Sequence, residues 1–353
     1  MLLLELHSEI LLEIFDHVGS SYFRSDSSRL TVCRRWSQLA LAQRSRDLRV
    51  TPKTLRRLVS SPSAESSLRQ VKDSVETLVV DLEQMKHWRS YSTYSQYDSR
   101  AGAAPSIRTM LDIQGYDARM QALRQLTDFM QKLHSRANPV EELNEDLVRL
   151  AASINGARKM RALQIQATML LPNDYLDTTT IRPFLSATNL NSLELDLCGT
   201  KLEPPPRERA GACQVCTNIA ALLTTLRRLR LRMRTICANV LKPQQHSTSL
   251  RLNEILINLS TSDGSHPDLP AAHAVGCGSS KDKFPQLKAE MESQAQVLVT
   301  QMAAPKMVRI LTHTDPDIQM QAFDGLTGRR IKLSKGAEWD DDGEYSEEKV
   351  ADQ

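Results

Sequence analysis

The sequence predicts a small all-α module at the amino terminus, followed by an α/β domain in which helices flank a parallel sheet. Apolar residues recur at helical spacing in the first 45 residues. Beyond them, short strand-like apolar runs alternate with helical stripes. The chain has 353 residues, 41% apolar and 25% charged. Such a length and composition are typical of about two globular domains.

The amino-terminal module is predicted to contain two apolar helical segments. Ser8 can cap the first one, because its hydroxyl can accept a bond from a free backbone N–H. Gly19 ends this segment, and a polar stretch leads into the second. The apolar positions of the first segment are Leu6, Ile10, Ile14 and Phe15. Those of the second are Leu30, Val32, Cys33, Trp36, Leu39 and Ala40.

Five runs in the middle of the chain share one pattern of three apolar residues. Two residues separate the first apolar residue from the second, and one residue separates the second from the third. The last four are 30, 36 and 26 residues apart, close to the period of leucine-rich repeats. Stacked repeats supply one another's core, because a single unit cannot bury its own apolar face. The sequence therefore predicts an irregular leucine-rich-repeat-like solenoid. The runs are Val75-Leu78-Val80, Met160-Leu163-Ile165, Leu190-Leu193-Leu195, Leu226-Leu229-Leu231 and Leu252-Ile255-Ile257.

Helical stripes between these runs favour helices on one side of the sheet. The first consists of Met120, Leu123, Phe129, Met130 and Leu133. The second consists of Leu143, Leu147, Leu150 and Ile154, and the third of Met291, Leu298 and Met302.

The amino-acid composition predicts the bounds of the domains, loops and tail. Residues 46–74 are predicted to be a linker helix between the amino-terminal module (1–45) and the repeat domain (75–333). Stretches rich in Ser, Gly or Pro predict loops inside that domain. Residues 334–353 are predicted to be a solvated acidic tail, because the stretch from Glu338 to Gln353 has a net charge of −7. The predicted loops are 91–104, 203–211 and 260–284.

Two half-motifs in the module carry the most specific signal. Leu6-His7-Ser8-Glu9-Ile10-Leu11-Leu12-Glu13-Ile14-Phe15 is followed by Val32-Cys33-Arg34-Arg35-Trp36. In this order they resemble the F-box, whose usual form runs Leu-Pro-x-Glu-Ile-Leu-x-x-Ile-Phe and then Val-Cys-Arg-x-Trp. The sequence departs from that form at His7, where the family usually has Pro, and in a longer connection between the halves. The segment 322–330, followed by Trp339, is also similar to the closing segment of many fungal F-box proteins.

The resemblance implies a three-helix module that packs against the Skp adaptor of a Skp–cullin–F-box ubiquitin ligase and, through it, reaches a cullin. Such a chain is a non-catalytic substrate receptor. The alternative is a leucine-rich-repeat scaffold that acts outside any ligase. The same residues also allow a plainer interpretation, in which they only form the core of an ordinary helical hairpin. The residues expected to contact the Skp adaptor are Leu6, Ile10, Ile14, Phe15, Leu30, Val32 and Trp36.

Residues that alternate with the core positions of a strand face the opposite side of the sheet. On the predicted repeats these residues are polar, and they are candidates for contact with a protein substrate. Their acids and arginines lie on neighbouring repeats, so direct pairing among themselves is the competing interpretation. A nucleic-acid-binding solenoid is a further alternative, disfavoured by the adjacent acids and the lack of interleaved aromatic residues. The candidates are Gln164, Gln166, Glu194, Asp196, Arg230 and Arg232.

No catalytic, cofactor or metal motif is recognisable. Cys213 and Cys216 have metal-ligand spacing, but on a helix they share a face with Ala220 and Leu223, which favours core thiols over zinc. No apolar run approaches the ~18 residues that span a bilayer. The acids that interrupt the apolar start argue against a signal peptide. We therefore expect reduced cysteines and a cytoplasmic or nuclear location.

Overall fold

The three-dimensional structure is a computed structural model. The predicted loop at 91–104 and the helical stripe from Met120 to Leu133 lie outside the residues it describes. Those residues are 6–83, 139–168, 175–202, 214–244, 249–261, 270–274, 284–314, 319–334, 337, 341 and 343–345.

The amino-terminal region is helical, as predicted. Phe15, Phe23, Leu30 and Ala40 form its small core, and Trp36 packs edge-on against Phe15 with ring centroids 4.5 Å apart. The region consists of α1 (Ser8–Val18), α2 (Ser20–Ser25), a 3₁₀ turn (Ser27–Leu30) and α3 (Arg34–Arg46).

Residues 46–74 do not form the predicted linker helix. Strand β1 (Asp47–Val50) begins directly after α3 and is followed by α4 (Pro52–Ser60) and α5 (Ala64–Ser74). Thr51 starts α4 with a capping box. The strand was missed because its apolar alternation is only Leu48 and Val50, and its pairing with the next strand decides its conformation.

The main sheet has ten strands in the described part of the chain, in the order β1-β2-β3-β4-β5-β7-β9-β10-β11-β12. Pairing is parallel from β1 to β9 and antiparallel from β9 to β12. The five apolar runs lead into β2 (Thr77–Asp81), β3 (Ala162–Gln166), β4 (Ser192–Leu197), β5 (Arg228–Met233) and β7 (Glu254–Asn258). The predicted parallel α/β sheet is therefore confirmed.

Of the other strands, β6, β8 and β12 are two residues long, and β9, β10 and β11 are longer. Strands β6 and β8 pair with each other in a separate two-stranded sheet. The bounds are β6 (Thr235–Ile236), β8 (Ala272–His273), β9 (Met307–Thr314), β10 (Gln319–Asp324), β11 (Arg329–Lys332) and β12 (Glu344–Tyr345).

Helices cover one face of the sheet and bury the main core. The register aligns the central apolar residue of each parallel strand with its neighbour, as in the pairing of Leu163 with Leu193 and of Leu193 with Leu229. The predicted stripe from Leu143 to Ile154 faces this core. The helices that follow α5 in the described chain are α6 (Pro139–Ile154), α7 (Thr178–Ile181), α8 (Gln214–Leu222) and α9 (Phe284–Val299), with 3₁₀ turns at Phe184–Ser186 and Ala238–Leu241.

Two predicted irregular segments contain strands. Strand β8 lies within the predicted loop 260–284, and β12 lies within the predicted tail 334–353, where it pairs with β11. Both strands are two residues long, too short for a periodic signal in the sequence. Arg309 Nη1 also donates a 2.6 Å bond to the backbone oxygen of Asp341, so part of the acidic segment packs on the sheet. The predicted loop 203–211 lies outside the described residues.

No helix of the described segments combines the length and apolar character needed to cross a membrane.

The aligned apolar rows predict where the chain is most sensitive to truncation. Leu195 is fully buried between β3 and β5, whereas Leu326 in the turn after β10 is 39% exposed. We expect Leu195→Ala to lower the free energy of unfolding by about 2–5 kcal/mol, because it leaves a cavity in the core. Leu326→Ala should change it by less than about 0.5 kcal/mol. Urea unfolding curves measure both, and equal losses would contradict this account of the core.

Candidate functional site

The first candidate surface is apolar and lies at one end of the helical module. Ile10 is 45% exposed and Val32 is 53% exposed, although both are large aliphatic residues. Arg35 Nη2 donates to the Leu6 backbone oxygen at 2.7 Å, which holds the start of α1 beside the start of α3. Val32 lies two residues before α3, so it is at the same end as Ile10. We call Leu6, Ile10, Ile14 and Val32 the amino-terminal apolar patch.

The structure divides the seven residues predicted to contact the Skp adaptor. Phe15 and Leu30 are buried in the module, at 1% and 7% exposure, so we assign them to its core and not to its surface. Trp36 is half-buried, and its Nε1 donates to the Arg29 backbone oxygen at 2.6 Å. The remaining four residues are the amino-terminal apolar patch, in which Leu6 and Ile14 are half-buried. The sequence could not separate these roles, because both sets recur at helical spacing.

Ionic contacts tie the helical module to the sheet. Arg46, the last residue of α3, lies 2.6 Å from Asp16 on α1 and 2.8 Å from Glu76 next to β2. Burial lowers the pKa of Arg46, but the hydrogen bond and charge of Glu76 and the charge of Asp16 outweigh it, so the pKa is raised. Ser20 Oγ donates to Asp47 Oδ2 at 2.7 Å. The module is thus attached to β1 without a spacer.

The second candidate surface is the side of the sheet opposite the main core. The register places Gln164, Glu194 and Arg230 in one row across β3, β4 and β5. A parallel row two residues further along holds Gln166, Asp196 and Arg232. The structure therefore brings together all six residues predicted to contact a substrate. We call these six residues the polar sheet face.

Most of these side chains bind one another. Arg232 Nε donates to Asp196 Oδ1 at 2.8 Å, and Gln164 Nε2 donates to Glu194 Oε1 at the same distance. Arg230 Nε donates to Glu254 Oε1 at 2.8 Å. The sequence did not predict Glu254 as a partner of these arginines. Only the pairing of β5 with β7 places it beside Arg228 and Arg230. The predicted pairing among neighbouring repeats is therefore present, with a partly different set of partners.

The side of the sheet that carries the polar sheet face becomes apolar and buried from β7 onwards. Leu256 and Leu311 follow the register of the polar rows, yet both are fully buried. They form a second apolar cluster with Ala322, Ile331 and Leu333. The region after β11 therefore covers this end. On the earlier strands Asp196 is buried, and the other five residues of the polar sheet face are half-buried.

Cys216 packs in α8 on the face that also carries Ala220 and Leu223, and all three are buried. Cys213 lies outside the described residues. Within the described segments, no group of three or more His, Cys, Asp or Glu side chains is arranged to hold a metal ion.

Comparisons with protein-family models, with curated proteins and with solved structures each found no match. The fold by itself defines the chain as an α/β protein with an amino-terminal helical region. Any narrower assignment rests on the two surfaces described above.

Glu194 predicts a pH dependence of stability. Burial raises the pKa of this carboxyl group, and the positive charge of Arg230 only partly offsets the effect. Its ionised form therefore costs stability at neutral pH, and the cost disappears once the pH falls below the unfolded-state pKa. We expect Glu194→Gln, which can still bind Gln164, to raise the melting temperature at pH 7.

Thermal unfolding between pH 4 and pH 7 tests this prediction. The difference between Glu194→Gln and the unmodified chain should shrink steadily towards the acid end. Glu65→Gln, at an exposed position in α5, serves as the control and should give no gain at pH 7. A gain from Glu194→Gln that stays constant across the range would rule out ionisation of Glu194 as its cause.

Proposed function

We propose that the chain is the substrate-recognition adaptor of a Skp–cullin–F-box type ubiquitin ligase. In this assignment the amino-terminal module is an F-box that binds the Skp adaptor. The sheet and its helices form a leucine-rich-repeat-like solenoid that holds a protein substrate. The chain contributes no covalent chemistry of its own, and the cullin is reached through the Skp adaptor.

The observation that carries the proposal is the exposure of Ile10 and Val32, two large aliphatic residues, on a module that has a core of its own. Ring contacts among Phe15, Phe23 and Trp36 fill that core. Ile10 and Val32 are not needed to fill it, and they remain 45% and 53% exposed. Exposed apolar residues grouped at one end of a small module are typical of a protein-binding site. These positions also belong to the two half-motifs that resemble the F-box.

The attachment of the module to the sheet supports an adaptor role. Arg46 bridges Asp16 and Glu76, and α3 continues into β1 without intervening residues. A partner on the module and a substrate on the sheet are then held at a defined separation. Such an arrangement raises the effective concentration of one partner relative to the other. A ligase needs this proximity, because the chemistry takes place on other subunits.

The polar sheet face supports a protein substrate more than a nucleic acid. Arg228 and Arg230 each lie 2.8 Å from Glu254, and Arg232 lies 2.5 Å from Asp196. Phosphate binding by these arginines would have to replace carboxylates that already bind them. A polypeptide carries both signs of charge and can exchange partners with such pairs without leaving a charge unpaired.

Co-purification with a Skp adaptor tests the first half of the proposal. The variant Ile10→Glu/Val32→Glu places two carboxylates in the amino-terminal apolar patch. We expect it to bind the adaptor at least tenfold more weakly, because burying an unpaired charge in an interface is strongly unfavourable. Both side chains are exposed, so its circular dichroism spectrum and melting temperature should stay close to those of the unmodified chain.

Val297→Glu is the matched control, since Val297 is 47% exposed but lies on α9, away from the module. It should bind the adaptor normally. A folded unmodified chain that ignores the Skp adaptor at micromolar concentrations would refute the F-box assignment. Adaptor binding without co-precipitation of a cullin would refute the ligase role and favour a scaffold that binds the Skp adaptor alone.

A further inference from the structure

The first turn of α1 is held in place differently from the rest of the helical module. Leu11, at 1% exposure, is the first buried residue in the described part of the chain, and none of residues 6–10 is buried. The apolar core therefore fixes the later turns of α1 and not the first one. A turn without buried apolar contacts opens easily unless other contacts hold it.

No side-chain cap holds this turn either. The predicted cap at Ser8 is not formed, because Ser8 is already the first residue of the helix and His7 takes the capping position. The His7 side chain makes no capping bond. The first backbone bond of the helix runs from the Leu11 N–H to the His7 carbonyl oxygen, at 3.1 Å. Since uncapped N–H groups weaken a first turn, this end of α1 would fray by itself.

Arg35, in the first turn of α3, supplies a contact that holds the start of α1. Its Nη2 atom donates to the Leu6 backbone oxygen at 2.7 Å and to Ser8 Oγ at 3.0 Å. The two acceptors lie on either side of His7, so one guanidinium group spans the residue at which the helix begins. Arginine suits this task because its planar group presents several donors in a fixed geometry. We call these two bonds the helix-start contact.

The helix-start contact links the two parts of the amino-terminal apolar patch. Leu6 and Ile10 belong to the start of α1, whereas Val32 lies three residues before Arg35. The relative positions of these apolar side chains therefore depend on how the starts of α1 and α3 are held together. A binding surface whose parts are already in place loses less affinity to ordering when a partner binds.

We propose that Arg35 is a positioning residue for the surface that binds the Skp adaptor. It holds the first turn of α1 against the start of α3, so that Leu6 and Ile10 stand beside Val32 before the adaptor arrives. This role rests on the proposed adaptor function. The effect of Arg35 on the first turn of α1 is a property of the chain alone and can be measured without a partner.

Adaptor affinity and local hydrogen exchange, measured on the full chain, test this role. Arg35→Ala removes both bonds of the helix-start contact, and α3 should stay intact because alanine is a strong helix former. We expect the variant to bind the Skp adaptor about threefold to tenfold more weakly, as the loss of a modest hydrogen-bonding contact allows. In the free chain the Leu11 amide should exchange about threefold faster or more. The melting temperature should stay nearly the same, since the contact is exposed.

A second substitution separates positioning from a direct contact between Arg35 and the adaptor. His7 has a φ of −58°, close to the value that a proline ring fixes, and its N–H donates to no other backbone group of the described residues. His7→Pro should therefore stiffen the start of α1 without the help of Arg35. Added to Arg35→Ala, it should strengthen adaptor binding about twofold to fivefold and slow the exchange of the Leu11 amide.

Arg57→Ala is the matched control, because Arg57 is also an exposed arginine on a helix but lies on α4. It should leave adaptor binding and the exchange of the Leu11 amide unchanged. Undiminished adaptor binding by Arg35→Ala would overturn the proposal. So would weaker binding with normal Leu11 exchange and no recovery from His7→Pro, which is the result of a direct contact between Arg35 and the adaptor.

Failure of this inference and failure of the proposed function give different results. An unmodified chain that does not bind the Skp adaptor refutes the proposed function, and the role of Arg35 in it falls as well. An unmodified chain that binds the adaptor no better than Arg35→Ala does refutes the role of Arg35 alone.

Discussion

The structure depends on the parallel register of strands β2, β3, β4, β5 and β7. Each strand alone exposes an apolar row that water disfavours, and neighbours in the same register align these rows into one face that the helices cover. The central positions of consecutive strands, Leu78, Leu163, Leu193, Leu229 and Ile255, are fully or almost fully buried and pair in that order. A slip by one residue would turn every one of them to the opposite face. The register is therefore specified strongly, and the helices pack on the face that it defines.

The same constraint creates the polar sheet face. Once the apolar positions are aligned, the residues between them are aligned as well, and charges from distant parts of the sequence become neighbours. Asp196 and Arg232 are 36 residues apart in sequence and 2.5 Å apart in space. Their pairing offsets the cost of partial burial. In the proposed adaptor, these paired side chains are ordered before the substrate binds, so little affinity is lost to ordering them.

The amino-terminal module is fixed to the first strands of the same sheet. Arg46 contacts both α1 and the sheet, and Asp47 begins the first strand one residue later. Exposed apolar groups on the module and polar groups on the sheet therefore belong to one continuous framework. In the proposed adaptor, that framework sets the distance between the ubiquitin-ligase scaffold and the substrate.

Local side-chain spacing was enough to predict the elements with strong periodicity. The five apolar runs, the stripe that became α6 and the helices of the module follow from side-chain spacing, because burial of one face is a local pattern. Of the seven residues predicted to contact the Skp adaptor, Ile10 and Val32 are exposed, while Phe15 and Leu30 belong to the core. That division could be made only from the tertiary structure, since helical spacing predicts an apolar face without specifying what covers it.

Contacts between residues far apart in sequence decide three further features. These are strand β1, the pairing of Arg230 with Glu254 and the strand inside the acidic segment. Their stability comes from neighbours brought together by the register, and no local pattern encodes those neighbours.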